Sequence, residues 1–164
     1  KGPLILDASG FLPISKKIIK IEDLPLDTIL TPHYGEFSEI FNINIDSIYN
    51  DPIASVRSVI ANLQGRILIL KGTTTVIVNS KGNILLMDHG GPTLSTAGTG
   101  DVLAGILASI VAQGMGLDDA AIYGTYVHAE CGAQYEQLIG NRGLIASDMI
   151  NMIPHAMQKV SNVS

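Results

Sequence analysis

Three short runs of aliphatic residues limit what this chain can fold into. Leu4-Ile5-Leu6-Asp7-Ala8, Thr28-Ile29-Leu30-Thr31-Pro32 and Arg66-Ile67-Leu68-Ile69-Leu70 are apolar without alternation, and each gives way at once to a polar residue or a proline. Unbroken apolar runs of this length read as strands covered on both faces, the habit of a parallel sheet. Two more β-rich runs, Thr74–Val78 and Ile84–Met87, flank Ser80-Lys81-Gly82-Asn83 and read as a hairpin. Between and after these runs the spacing turns helical. A short helix is expected from Gly35 to Ile40. Asp51-Pro52 opens another, with Ile53, Val56, Val59, Ile60 and Leu63 on one face and Gly65 at its close. Val102–Gln113, Leu117–Leu138 and a segment from Ser147 or Asp148 to Val160 complete the set. The order is that of an α/β fold with a mainly parallel sheet flanked by helices.

At 164 residues the chain is expected to form one domain, residues 1–164, with a sizeable core. Only 15% of residues are charged and mean hydropathy is +0.33, which argues against disorder. No apolar run reaches the roughly 18 residues that a bilayer span requires, so no membrane partner is expected. The net charge of −5 and the lack of a Lys/Arg cluster disfavour nucleic acid. Cys131 is alone, which excludes an internal disulfide and fits a reducing cytoplasm. His128 and Cys131 lie three apart, but two ligands do not make a structural zinc site, and both read as packing residues. The chain opens on Lys1-Gly2-Pro3 directly before a strand, and few strands precede the hairpin. Further strands are therefore expected upstream of Lys1.

The densest chemical signal runs from Gly90 to Gly105, with four glycines in the eleven positions 90–100. It ends in Gly98-Thr99-Gly100-Asp101 and passes directly into an apolar helix. The first N–H groups of a helix lack intrahelical partners, and glycines let an anion approach them. A carboxylate beside an anion site is repelled by its guest. Asp101 makes sense there as a base that takes a proton or as the holder of a metal ion. The alternative is that Thr99 is an N-cap and Asp101 an acid favoured by the helix dipole.

In open α/β sheets ligands gather beyond the C-terminal ends of the strands. The polar residues there are Asp7, then His33 and Glu36, then Lys71 with Thr73, Thr74 and Thr75. Glu36 is a magnesium ligand, direct or through water, or a capping acid. His33 either hydrogen-bonds a polar substrate or is a turn residue. Lys71-Gly72-Thr73-Thr74-Thr75 offers an ammonium and hydroxyls to phosphate, although no Walker loop is present and threonines entering a strand are ordinary β chemistry.

These blocks together resemble the NAD(P)H-hydrate dehydratases of the ribokinase-like superfamily, over nearly the whole chain and in order. The resemblance runs through Ile5-Leu6-Asp7-Ala8, Leu30-Thr31-Pro32-His33-Tyr34-Gly35-Glu36-Phe37, Leu70-Lys71-Gly72, Thr75-Val76-Ile77, Gly91–Gly105, Ala146-Ser147-Asp148-Met149-Ile150 and Ile153-Pro154. It implies a ribokinase-like fold and repair of hydrated NADH or NADPH, by phosphorylating the added hydroxyl from ADP or ATP and then eliminating phosphate. It implies Asp101 as the base that also touches substrate, and Gly98, Thr99 and Gly100 as the anion hole. It also implies Lys71, Gly72, Thr73, Thr74, Thr75 and Gly100 at the nucleotide, His33 at the hydrated dinucleotide, and Glu36 supporting Mg2+. ADP is the expected donor, as in bacterial members. Where relatives carry Asn-Pro-Gly this chain has Gly91-Pro92-Thr93. The family's N-terminal strands and a glycine-containing substrate segment have no counterpart before Leu4. The exposed sheet edge this implies leads to the expectation of a homo-oligomer. Two alternatives stay open: a kinase for a small alcohol, such as a vitamin precursor, and a nucleotide-binding fragment without catalysis.

Overall fold

The aliphatic runs become strands because burial, not propensity, decides them. The computed structural model describes residues 2–161. Its first compact unit, ending at Met87, holds β1 (Leu4–Leu6), α1 (Leu12–Ser15), β2 (Thr28–Leu30), α2 (Tyr34–Phe41), α3 (Ile45–Asn50), α4 (Pro52–Arg57), α5 (Ile60–Leu63), β3 (Ile67–Leu70), β4 (Thr75–Val78) and β5 (Ile84–Met87). The strands form a five-stranded sheet in the order β1-β2-β3-β4-β5. β1 pairs parallel with β2, and β2 with β3, in the register Leu6↔Leu30 and Leu30↔Leu68. β4 runs antiparallel to both β3 and β5, so four of the five strands share one direction. The hairpin lies where the sequence puts it.

Alternation along the strands loads both faces. Leu30, Leu68, Leu70, Val76 and Val78 pack into a core with Phe37, Ile48, Val56 and Leu63. Ile29, Ile67, Ile69 and Ile77, on the other face, are at most 1% exposed. Each such side chain contributes roughly 1.5–3 kcal/mol on burial, against a β-propensity range of about 1 kcal/mol. That explains how strands of three and four residues persist.

The helix expected over 51–63 is two. Asp51 caps it, its carboxylate accepting from the Ala54 amide at 2.8 Å, and Pro52 occupies the first turn. The Ser55 hydroxyl then donates to the Asp51 carbonyl at 2.9 Å, and the Ser58 hydroxyl to the Ser55 carbonyl at 2.7 Å. Such hydroxyls compete with the amide ladder, and the β-branched Val59 follows, so α4 ends and α5 restarts. Arg66 is buried before β3 and donates to the carbonyls of Leu63, Pro25, Glu22 and Leu24. A planar fork of five donors suits that task.

The second unit begins at Asp88. It contains a 3₁₀ turn at Pro92–Leu94, α6 (Thr99–Ala112), α7 (Leu117–Leu138) and α8 (Ala146–Ser161). Ile106, Ile110, Val127, Cys131, Tyr135 and Met149 form its core, with Met152 and Met157 packed alongside. Among the described residues no helix is long and apolar enough to cross a membrane.

Candidate active site

In the first unit the strand ends collect polar groups as expected. Asp7 follows β1, Thr31 follows β2 and Lys71 follows β3. One oxygen of Asp7 accepts from the Thr31 hydroxyl at 2.8 Å and from the Lys71 ammonium at 2.7 Å. The Lys71 amide donates to the Pro32 carbonyl at 2.9 Å, and an extra parallel bridge pairs His33 with Lys71. Asp7, His33 and Lys71 are thus brought to one sheet end. Lys71, however, is ion-paired, so a phosphate would have to compete with the Asp7 carboxylate for it. Gly72 is required where it stands, because a Cβ there would fall 2.6 Å from the Tyr34 ring. Thr73 is exposed and Thr74 half-buried, and Thr75 opens β4.

His33 and Glu36 close the start of α2. The Glu36 amide donates to His33 Nδ1 at 3.1 Å, and the His33 amide donates to Glu36 Oε2 at 2.9 Å. This reciprocal capping box satisfies two orphan donors. It is the capping role weighed for Glu36 above. The second oxygen, Oε1, lies 3.5 Å from His33 Nε2. The His33 ring turns back on its own helix, yet its side chain is largely exposed.

In the second unit Gly98 takes a left-handed conformation at φ 86° and caps α6, which therefore starts at Thr99. Thr99 is inside the helix and is not its N-cap. Its hydroxyl oxygen lies 2.7 Å from both the Leu94 and the Thr96 carbonyl oxygens and shares one proton between them. The Thr99 amide reaches Thr96 at 3.3 Å, and the Val102 amide reaches Gly98 at 3.2 Å. Among the described residues no acceptor meets the Gly100 and Asp101 amides. Asp101 is exposed in the first turn, and no ion pair or hydrogen bond engages its carboxylate among the described residues. Two free amides and an uncommitted acid therefore share one helix start. Thr99 contributes by bracing the turn.

The earlier glycines have other reasons. Gly90 has φ 103° and Gly91 φ 62°. A Cβ on Gly90 would meet backbone atoms of Ala129 at 2.8–2.9 Å, and one on Gly91 would strike the Glu136 carboxyl group. These positions let the loop lie flat on α7.

α7 supplies partners that periodicity does not reveal. Glu136 accepts from the Thr93 hydroxyl at 3.0 Å. His128 Nε2 lies 2.8 Å from the Thr99 carbonyl oxygen, so it does more than pack. Glu130, fully buried, lies 2.8 Å from His89 Nε2 and accepts from Lys159 at 2.7 Å and Gln134 at 3.1 Å. His89 stacks on Tyr126 at 5.3 Å. The sequence hint was two glutamates, Glu130 and Glu136, in a helix otherwise rich in Ala and Tyr. Cys131 is inert: burial, with the Glu130 charge beside it, pushes its thiol up to about 12.

Burial opposes ionisation of Glu130, but hydrogen bonds from Lys159, His89 and Gln134 outweigh it and hold the carboxyl below its ordinary 4.5. A carboxyl lowered on folding stabilises the fold above its unfolded value, and that contribution is lost as pH falls through the folded one. Thermal midpoints taken from pH 6 downward should therefore fall more steeply below about pH 4.5 in the wild type than in Glu130→Gln. Equal acid slopes would remove Glu130 from the acid response.

A family model described as NAD(P)H-hydrate dehydratase matches residues 1–155. The bifunctional NAD(P)H-hydrate repair enzyme of Dictyoglomus turgidum is 34% identical over 134 residues, 82% of this chain and 26% of that protein. Its counterpart from Methanopyrus kandleri is 33% identical over 157 residues, 96% of this chain and 30% of that protein. The Bacillus subtilis ADP/ATP-dependent NAD(P)H-hydrate dehydratase, co-crystallised with ATP and Mg2+, aligns at a TM-score of 0.83 and 25% identity over 96% of this chain and 55% of that one. A ribokinase-like superfamily protein from Enterococcus faecalis aligns at a TM-score of 0.79 and 26% identity, over 96% of this chain and 52% of that one. This chain spans 26–30% of the length of those curated relatives and just over half of those solved chains. The fold is ribokinase-like, as the resemblance implied. With the Gly-Thr-Gly-Asp turn opening α6 and the match running unbroken through both units, the chain belongs to the NAD(P)H-hydrate dehydratase family.

Proposed function

We propose that the protein restores hydrated NADH or NADPH, consuming ADP or ATP. One observation carries this reading in a chain of that family: the start of α6 offers the Gly100 and Asp101 amides beside an exposed, unpaired Asp101 carboxylate. Amides fixed in advance stabilise charge that builds on a phosphoryl group in flight. Asp101 takes the proton of the dinucleotide hydroxyl as its oxygen attacks phosphorus, and the bond from that phosphorus to the nucleotide breaks. Phosphate then leaves with the C–O electron pair and a neighbouring ring carbon loses a proton, which restores the ring. Gly98 sets the turn, Thr99 braces it, and Gly100 serves both anion hole and nucleotide.

In the first unit Lys71, Gly72, Thr73, Thr74 and Thr75 are assigned to the nucleotide, with Lys71 reached by exchange from Asp7. His33 is assigned to the hydrated dinucleotide. The nucleotide is taken as its magnesium complex. Beside phosphates that ion needs only one or two protein carboxylates. The described residues gather no cluster of three or more His, Cys, Asp or Glu that would cage it without phosphate. Glu36 would support it through water, which fits a carboxylate already closing a helix. One domain over residues 1–164, a homo-oligomer and a reducing cytoplasmic setting belong to the same reading.

The test is product analysis of the protein with hydrated NADH or NADPH, magnesium and ADP or ATP. The expected result is recovery of the reduced nicotinamide absorbance with one phosphate released per turnover. A phosphorylated small alcohol formed instead, with no dinucleotide restored, would make the protein a kinase. Nucleotide bound without any turnover would make it a binding fragment.

A further inference from the structure

We infer that His128 is a positioning residue for the phosphoryl site, acting through the peptide that joins Thr99 to Gly100. The inference rests on the reading of Gly98–Asp101 given above. His128 lies on α7, half-buried, with Nε2 2.8 Å from the Thr99 carbonyl oxygen. A carbonyl only accepts, so Nε2 bears the proton in this contact. That oxygen and the Gly100 N–H belong to one planar trans peptide and point to opposite sides of it. A carbonyl has two lone pairs, so the oxygen can take the imidazole and an amide of its own helix together.

Two consequences reach the Gly100 amide. The ring fixes the plane of the peptide, and therefore the direction in which Gly100 presents its hydrogen. It also draws electron density toward the oxygen, which makes the N–H at the far end a stronger donor. Cooperative strengthening of this kind is about 10–30% per bond. The Thr99 hydroxyl holds the same residue from its side chain, bridging the Leu94 and Thr96 carbonyls. Residue 99 is thus fixed at both carbonyl and side chain, while the amide that follows it meets no acceptor among the described residues. This is the arrangement expected of a donor prepared in advance for an anion.

His128→Gln and His128→Met separate the donor from the packing. Both replace the ring with an unbranched chain of similar length, and only glutamine can donate to Thr99. In the intact protein the Met variant is expected to lose about tenfold in kcat, less than the 10²–10³ that follows outright removal of an oxyanion donor. The KM for the nucleotide should stay within about twofold, since Gly100 keeps its N–H in this variant and shares the nucleotide with Lys71–Thr75 in the proposed site. The Gln variant should recover most of the loss. A folded Met variant with wild-type kcat overturns the inference, as does a Gln variant no better than Met. Asp101→Asn assayed beside them keeps the two readings apart. If it too turns over normally, the phosphoryl site is elsewhere; if it is inactive while Met is normal, only the role of His128 falls. Long-range proton–nitrogen spectroscopy of the wild-type imidazole needs no variant. A proton on Nε2 supports the inference, and a bare Nε2 overturns it.

Discussion

Asp101→Asn is expected to lower turnover at least about a hundredfold, the usual scale for losing a general base, while nucleotide binding is largely kept. Asparagine has nearly the same shape and remains in the first turn of α6, so the amides of Gly100 and residue 101 stay where they are. What disappears is the capacity to take the hydroxyl proton. Removing a negative charge beside bound phosphate also relieves a repulsion, so nucleotide affinity should hold or rise slightly. The competing account makes Asp101 only an acid that favours the helix dipole. That account predicts a stability loss of about 0.3–1 kcal/mol and no kinetic effect. kcat at saturating substrate, nucleotide affinity by calorimetry and a melting curve on one preparation distinguish the two. Full turnover in the Asn variant would reject Asp101 as the base. The wild-type geometry already meets one requirement of a base, because its carboxylate is exposed and held by no ion pair among the described residues.

What could be read from the sequence follows the range of the interaction. Leu4–Leu6, Thr28–Leu30 and Ile67–Leu70 announce themselves because an unbroken aliphatic run has few other uses. The turn at Gly98–Asp101 is equally local. So is the box formed by His33 and Glu36 three residues apart, although the sequence alone could not choose between cap and metal support. The break at Ser58 was missed because helical spacing continues through it. Only the hydroxyl bonds of Ser55 and Ser58 show why the ladder stops there. The partners of Asp7, His89 and Thr99 were not legible. Lys71 lies 64 residues from Asp7, Glu130 lies 41 from His89, and His128 lies 29 from Thr99. No local pattern encodes such pairings, since they exist only once helices and strands have packed.

Gly90→Ala and Gly105→Ala add the same single carbon and should move stability in opposite directions. At Gly90 the backbone has φ 103°, a region L side chains avoid. The added Cβ would also lie 2.8 Å from the Ala129 carbonyl oxygen and 2.9 Å from its Cα. Those are backbone atoms of α7 and cannot swing aside as a side-chain tip can. Strain at such a dihedral costs about 1–3 kcal/mol and overpacking a similar amount, so a loss of roughly 2–6 kcal/mol is expected. That is a large part of the 5–15 kcal/mol that typically holds a domain together. Gly105 lies in the interior of α6, exposed, with nothing within 4 Å of the built Cβ. There alanine should add about 0.5–1 kcal/mol, because glycine gives up more backbone freedom in a helix. Denaturant unfolding of both variants beside the wild type measures the contrast. The Gly90 variant should also lose turnover, since the loop displaced from Ala129 runs on into Gly98 and Asp101. A Gly90→Ala protein as stable and as active as the wild type would mean that this loop does not lie against α7.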